Sequence, residues 1–380
     1  MKKFTILALH LGVGGVEKAI CSLANILSQK YDVEIISTYK ILDKPLFELN
    51  PKIKVRYLMT DLKPNVKEFK EAVKKLNIIN IFKEGIKSIK VLYYRKKLMI
   101  DAIKKIDTDF IISTRYMHNN LVSKYAKKDI IKIAQEHNHH NGNMKYVKKV
   151  VSSCRGFDYF MPVSKELKDF YTKQFENTNI KCAYIPHCID FLPEKISDLT
   201  NKQIISVGRL SAEKGYLDLI DVFNLVQNKY PDWNLKIAGD GLEKEKIQKK
   251  IKEYSLEKSV ELLGFVTGND LVNVEKQSSI YLMCSFEESF GIVLIEAESY
   301  GLPMIAFDSA QGAHEVIQNG VNGYLIENRD KEKMAECICK LIQDIELRKK
   351  LGNEGRKKSL EYTQEKISEK WFEFIEKIEK

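Results

Sequence analysis

Short apolar, β-rich runs alternate with longer helical patterns from one end of the 380 residues to the other, and few architectures accommodate that alternation. In the first half the runs are Phe4–Leu9, Val33–Ser37, Lys54–Leu58, Phe110–Ser113, Ile130–Ala134 and Tyr159–Val163. In the second half they are Ile204–Val207, Leu235–Ala238, Val260–Leu262, Ile280–Met283, Pro303–Ala306 and Gly323–Ile326. Strands separated by helices read as βα units, which build parallel sheets covered by helices on both faces. Two such sets, each opening with a strand and a glycine turn, predict two doubly wound α/β domains. Residues 1–188 form the first and 189–362 the second, and a returning helix over 363–380 joins the first. The expected hinge is the stretch 185–200, which has two prolines and no clear period. The tail crowds Trp371, Phe372, Phe374 and Ile375 together, too much apolar surface for a free end, and is expected to dock back across the domain junction.

Bulk properties narrow the class. Apolar content of 44% and charged content of 30% suit packed cores and exclude a disordered or fibrous chain. No stretch approaches the roughly 18 apolar residues of a membrane-spanning helix. The N-terminal MKKFTILAL imitates a signal peptide, but breaks at Gly12 into a glycine turn with no small-residue cleavage site, so a buried first strand is expected. Seven cysteines without CxxC spacing predict reduced thiols in the cytoplasm rather than a disulfide framework or a zinc site.

The net charge of +10 is uneven: residues 1–190 carry 35 Lys and Arg against 19 Asp and Glu, the remainder 27 against 33. One half therefore faces something anionic. Residues 67–105 concentrate this, with twelve cations against four acids interleaved with Ile78, Ile79, Phe82, Ile86, Ile89 and Tyr93. Such a segment can lie on an anionic membrane, and the alternative is a solvated lysine-rich face. No nucleic-acid recognition module accompanies the charge.

Four glycine-bearing or acidic motifs follow strands. Gly12-Val13-Gly14-Gly15-Val16-Glu17 opens the first helix, where free N–H groups favour an anion, but Glu17 stands where a dinucleotide fingerprint needs glycine. Gly208-Arg209-Leu210 and Glu213-Lys214-Gly215 set two cations five residues apart on one loop, a pattern suited to a diphosphate. Gly239-Asp240-Gly241 ends another strand, and its glycines are expected to leave a slot for a flat base. The segment Ser285 to Ala297 places Glu288 and Glu296 either side of a helix start near Gly291, as if two turns apart and facing one pocket. Carboxylates accept hydrogen bonds from paired hydroxyls, and the N–H groups of Gly291, Ile292 and Val293 suit a phosphate.

Taken in order, these segments resemble the family 4 glycosyltransferases, a GT-B family. VGRLSAEKG is similar to its phosphate loop, AGDG to its base loop, and Glu288 to Glu296 to its E-x7-E signature. Residues 301–306, Asn322-Gly323-Tyr324, the loop at 12–17 and Pro162-Val163-Ser164 resemble further family elements. The resemblance covers nearly the whole chain, tightly in the second half and loosely between residues 40 and 130. It implies two Rossmann-like domains facing across a cleft, a donor site in the second domain and an acceptor site in the first. The implied reaction is retaining transfer of a hexosyl or N-acetylhexosaminyl group from a nucleotide sugar, UDP favoured over GDP, to a polysaccharide or lipid-linked saccharide. Capsule and lipopolysaccharide are products of that kind, made in the cytoplasm or at the inner membrane face.

By the same resemblance Arg209 and Lys214 hold the diphosphate, Glu288 the transferred sugar, Glu296 the ribose, and His137 lies near the reacting sugar. Gly14, Gly15, Gly208, Gly239, Asp240, Gly241, Phe290, Gly291, Ile292 and Val293 complete the implied donor site. The resemblance implies a metal-independent reaction with no cofactor, and His137, His139 and His140 lack a metal-ligand spacing. Two segments depart from the family pattern: His187 and Cys188 stand where the family has Asn and Gly or Pro, and the loop 310–315 is varied, with Gly312 and Glu315 kept as candidates near a substrate. The competing readings are another GT-B enzyme of nucleotide sugars, such as a 2-epimerase, or a non-catalytic scaffold.

Overall fold

The computed structural model describes residues 1–378. The chain divides into two compact units, the first Met1–Ile185 together with the chain from Trp371, the second Pro186–Lys370. In the first unit seven strands lie in the order β3-β2-β1-β4-β5-β6-β7. They are β1 (Lys3–Ala8), β2 (Asp32–Tyr39), β3 (Lys54–Met59), β4 (Phe110–Ser113), β5 (Ile131–Glu136), β6 (Tyr159–Pro162) and β7 (Lys181–Cys182). Helices α1 (Gly15–Leu27), α2 (Val66–Lys74), α3 (Ile78–Lys105), α4 (Tyr116–Tyr125), α5 (Met144–Ser153) and α6 (Lys165–Gln174) connect them.

The second unit has six strands in the order β10-β9-β8-β11-β12-β13. They are β8 (Gln203–Val207), β9 (Asn234–Ala238), β10 (Val260–Gly264), β11 (Ile280–Met283), β12 (Met304–Phe307) and β13 (Gly323–Ile326). Its helices are α7 (Tyr216–Gln227), α8 (Lys244–Glu253), α9 (Gly268–Lys276), α10 (Ile292–Ser299), α11 (Ala313–Val316), α12 (Lys331–Gln343) and α13 (Ile345–Ser359), with α14 (Gln364–Ile378) closing the chain.

Every named strand pair is parallel. Parallel strands covered on both faces need apolar side chains on both, which is why β4 and β11 are buried at all four positions each. The strand order reverses between β1 and β4 and between β8 and β11, so the loops leaving those strands diverge at the carboxyl edge of each sheet. In doubly wound folds a ligand binds there.

All twelve expected strands occur, with shifted ends. β7 was not expected, because two residues carry no period. The stretch 185–200, expected as the hinge, begins where the chain passes from the first unit to the second and is packed in the second: Cys188, Ile189 and Leu199 are buried, and the Ile189 and Ser197 N–H groups donate to Tyr362 and Tyr300 carbonyls. Its apolar residues find partners in the second unit. The tail is helical with breaks at Asp344 and Thr363, and the returning helix expected over 363–380 is α14. Trp371, Phe372 and Ile375 are buried, Phe372 lies edge-on to Tyr31 at 6.0 Å, and Phe374 edge-on to Tyr159 at 5.2 Å.

Candidate active site

At the carboxyl edge of the second sheet the loops after β8 and β9 run side by side. Gly208 N–H donates to the Ala238 carbonyl (2.9 Å) and Leu210 N–H to that of Asp240 (3.0 Å). A Cβ on Gly239 would stand 1.8 Å from the Gly208 carbonyl oxygen, and one on Gly241 2.3 Å from that of Leu210. These glycines are therefore required by the neighbouring main chain. Asp240 is exposed and accepts from the Gly241 N–H.

Arg209 is exposed beside Glu213. Burial pushes the Glu213 carboxyl up, but the Ser211 hydroxyl, its own N–H and the Arg209 and Lys214 cations outweigh that and hold it below its usual range. A short 3-10 turn, Ala212–Lys214, ends in left-handed Gly215, whose Cβ would lie 2.0 Å from the Cys284 carbonyl oxygen. This contact, with the Phe286 N–H donating to the Glu213 carbonyl (2.8 Å), joins the β8 loop to the β11 loop. Here Lys214 Nζ meets Glu288 Oε2 at 2.6 Å, both side chains largely shielded. Two residues 74 positions apart thus form one ion pair at the switch point.

Glu288 lies in the loop before α10 and not on the helix, so helical spacing does not describe its relation to Glu296, which is half-buried within α10. The loop is backed by Gly312, whose N–H donates to the Glu288 carbonyl (2.8 Å) and whose Cβ would be 2.3 Å from Phe290 N. Gly291 caps α10 at φ 86°, where a Cβ would press on Leu294 at 2.9 Å. Ile292 and Val293 open the helix half-buried. The Phe290 ring is core, edge-on to His187 at 5.1 Å and to Tyr362 at 6.0 Å, which gives the family departure at His187 a packing role. Burial pushes the His187 imidazole down to about 4, so it is neutral at pH 7. Glu315 offers its carbonyl to Lys358 and Tyr362.

Arg329, which no motif marks, ties this edge together. Its guanidinium donates to the carbonyls of Ser285 (3.0 Å) and Cys284 (2.9 Å), to Ser309 Oγ (2.8 Å) and to Asp218 (2.6 Å). It also lies 3.6 Å over the Phe286 ring and 4.4 Å over Phe307. Burial pushes Asp218 up, but its bonds to Arg329 and Lys331 prevail and hold it below the usual carboxylate range. Behind the loop, Glu298 is fully buried and accepts from Asn322 Nδ2 at 2.6 Å; burial raises its carboxyl to about 8 against the opposing pull of Lys358 and Asn322.

The first unit's edge is assembled from side chains. Gly14 and Gly15 open α1, and a Cβ on Gly15 would meet nothing within 4 Å. Glu17, noticed in the sequence only as a mismatch to a fingerprint, is buried 3.3 Å from Arg115 Nη2 and 3.6 Å from His10 Nδ1. His118 bridges to Thr38 Oγ1 at 3.1 Å; burial and then the Arg115 and Arg95 cations push it down to about 3. His137 is buried directly after β5, beside Glu136, whose carboxyl is raised by burial and bound by Asn138.

His139, His140 and Glu166 bring one possible ligand atom each within 4.8 Å of one another. Their chemistry does not fit a cation well. His140 Nδ1 accepts the Gly142 N–H (3.0 Å), which leaves the proton on Nε2, where a metal needs a lone pair. His139 Nε2 lies 3.4 Å from a Glu166 oxygen.

The family described as Glycosyl transferases group 1 matches residues 190–358. Over its full length the chain is similar to an uncharacterized glycosyltransferase of Haemophilus influenzae, 31% identical, covering 98% of this chain and 99% of that one. A Campylobacter jejuni N-acetylgalactosamine-N,N'-diacetylbacillosaminyl-diphospho-undecaprenol 4-alpha-N-acetylgalactosaminyltransferase is 26% identical over 97% of this chain and 98% of its own. The chain spans only 40% of a similar Streptomyces coelicolor exopolysaccharide phosphotransferase, at 26% identity over 96% of this chain. Among solved structures, a Staphylococcus aureus TarM variant in complex with fondaparinux, alpha-GlcNAc-glycerol and UDP superposes with a TM-score of 0.77, 17% identity and coverage of 98% and 99%. At that identity the likeness concerns the fold alone.

Proposed function

The chain belongs to the group 1 glycosyltransferases, of GT-B type, and on that premise we propose that it moves a hexosyl or N-acetylhexosaminyl group, with retention, from a UDP-sugar to a polysaccharide or lipid-linked saccharide in cell-surface glycan synthesis. It works in the cytoplasm, at the inner membrane face through residues 67–105. The observation that carries the reading is the Lys214–Glu288 ion pair at 2.6 Å, between the two loops that part at the switch point of the second sheet. A diphosphate is a stronger partner for Lys214 than a single carboxylate. When it recruits Lys214 together with Arg209, Glu288 is released to accept hydroxyls of the sugar. The two cations then stabilise the charge that develops on the departing diphosphate, the task a metal serves elsewhere. Glu296, one turn into α10, takes the ribose hydroxyls, and the role near the reacting sugar is assigned to His137 on the family resemblance alone. The departing phosphate oxygen takes the acceptor's proton, so no protein base is assigned. The names of the relatives, one acting on a diphospho-undecaprenol saccharide, and the UDP bound by TarM support the donor and acceptor classes.

The test is thermal stabilisation by UDP, GDP and their sugars, beside Glu296→Ala. A ligand at a hundredfold excess over Kd adds about 2.7 kcal/mol to apparent stability. The expected outcome is a shift with the UDP series that weakens in the variant. No shift with any nucleotide, from folded protein, would sink the reading, and sugar-nucleotide turnover without an acceptor would favour an epimerase.

A further inference from the structure

Helices α5 and α6 both run from the carboxyl edge of the first sheet to its amino edge, since each leaves one parallel strand and leads into the next. Neighbouring helices on a sheet ordinarily bury their facing stripes against each other. Here α5 packs along α4 but hardly touches α6, and between the carboxyl ends of α5 and α6 lies a cleft of about 520 Å³. Buried Val147, Phe157 and Phe175 line it, together with half-buried Val151 and Ile180. A mostly apolar cleft of roughly 300–1,000 Å³ with a few polar groups is the usual form of a small-molecule site. Lys148 and Arg155, both exposed, also line it. No lining residue is acidic, and neither cation has an ion-pair partner among the described residues. The Ser123 hydroxyl donates to the Arg155 carbonyl, which ties down the main chain that carries the guanidinium.

We propose that this cleft binds a small amphipathic anion, its hydrocarbon part against the Val147, Val151, Phe157, Phe175 and Ile180 side chains and its carboxylate or phosphate on Arg155 and Lys148. The lining decides the class. A neutral apolar molecule would leave both cations unmet, and an inorganic ion would leave the apolar surface wet. One molecule that carries both parts satisfies the two: hydrocarbon displaces water from the apolar lining, while the arginine fork and the lysine point charge share the anionic oxygens. The cleft stands apart from the transfer chemistry. Ligands of doubly wound sheets bind at the carboxyl edge, whereas this cleft lies at the amino edge of the first sheet. Its occupant is therefore an effector and not the sugar acceptor. Helix α5, which begins after the loop that carries His137 and ends on the cleft, is the element that an occupant holds in place.

Thermal unfolding of the full chain with octyl phosphate, octanoate, octanol and inorganic phosphate tests this. Octyl phosphate and octanoate are expected to raise the melting temperature at concentrations where octanol and inorganic phosphate do not, and the stronger of the two names the head group. Lys148→Gln and Arg155→Gln together should weaken that binding by about tenfold or more. Val151→Phe, which fills the cleft from a half-buried position, should remove it. Lys148 and Arg155 are exposed, so the double variant keeps its fold, and its melting temperature without ligand checks this. The proposal is overturned if neither anion stabilises the wild type, if octanol does so equally, or if the double variant binds as the wild type does. Stabilisation by UDP is expected at the wild-type level in the double variant. Its absence from the wild type would defeat the transferase reading and leave the result at the cleft standing.

Discussion

At the carboxyl edge of the second sheet, Gly208, Leu210, Gly239 and Gly241 meet main chain to main chain, and Gly215 and Gly312 do the same against the β11 loop. At the corresponding edge of the first sheet, Glu17 meets Arg115, His118 meets Thr38, and Glu136 accepts from the Asn138 amide, all through side chains. The first kind of contact leaves no room for a Cβ on the side that receives a neighbour's backbone, as at 215, 239, 241 and 312, and so demands glycine at set positions. The second can be made by many residue pairs. A main-chain-built edge therefore leaves a readable motif, and a side-chain-built edge leaves scattered residues that look ordinary one at a time.

The sharpest way to break this contrast is Gly239→Ala. Its methyl would sit 1.8 Å from a carbonyl oxygen at a backbone that cannot retreat, so the second unit should lose about 3 kcal/mol or more in urea unfolding, together with nucleotide stabilisation. Gly15→Ala, with open space around it, is the control and should change stability by less than about 1 kcal/mol, in the favourable direction within a helix. Equal effects at the two glycines would defeat the main-chain account.

A middle-sized effect is expected at Arg329, where a side chain secures an edge otherwise held by backbone. Arg329→Gln removes a donor from the Cys284 and Ser285 carbonyls and one of the two cations that hold Asp218, which keeps Lys331, and should cost about 2 kcal/mol, with weakened nucleotide stabilisation. Arg329→Lys should recover little, because one ammonium cannot span the four acceptors that the planar guanidinium reaches. Wild-type behaviour of both variants would show that the backbone alone holds the loop.

The smallest effect sharpens the comparison behind the edge, where the second unit also relies on a buried side chain. Glu298 titrates near 4.5 when unfolded and at about 8 when folded, so the folded chain keeps a proton that the unfolded chain has lost. Its contribution is full below about 4.5 and fades as pH rises through about 8. Glu298→Gln removes that slope. Relative to wild type, the variant should gain about 1 kcal/mol or more between pH 5 and pH 8.5 in thermal unfolding, while its Gln oxygen still accepts from Asn322. A parallel pH dependence of the two proteins would assign the raised carboxyl elsewhere.

What could be read directly were features that a short window encodes. β11 and β12 are continuous apolar runs because both faces of a parallel sheet are covered, and Gly208, Gly215 and Gly291 mark backbone that turns or is crowded. Arg209, Lys214, Glu288 and Glu296 followed from those same windows. The pairing of Lys214 with Glu288 did not, because it depends on β8 and β11 lying side by side, an order set by the crossovers between them. Arg329 escaped for the same reason: its partners at 218, 284, 285 and 309 are adjacent only in the folded sheet. Packing also added what the windows lack: the glycines at 239 and 241 serve a neighbouring loop, and the period-free stretch at 185–200, which begins where the chain passes between the units, is held in the second unit. On α3 the sequence determined the helical period and the charge, both local properties of one segment. Whether its apolar face lay against the core or stood open was decided by the tertiary structure, because burial depends on which elements the rest of the chain brings to that face.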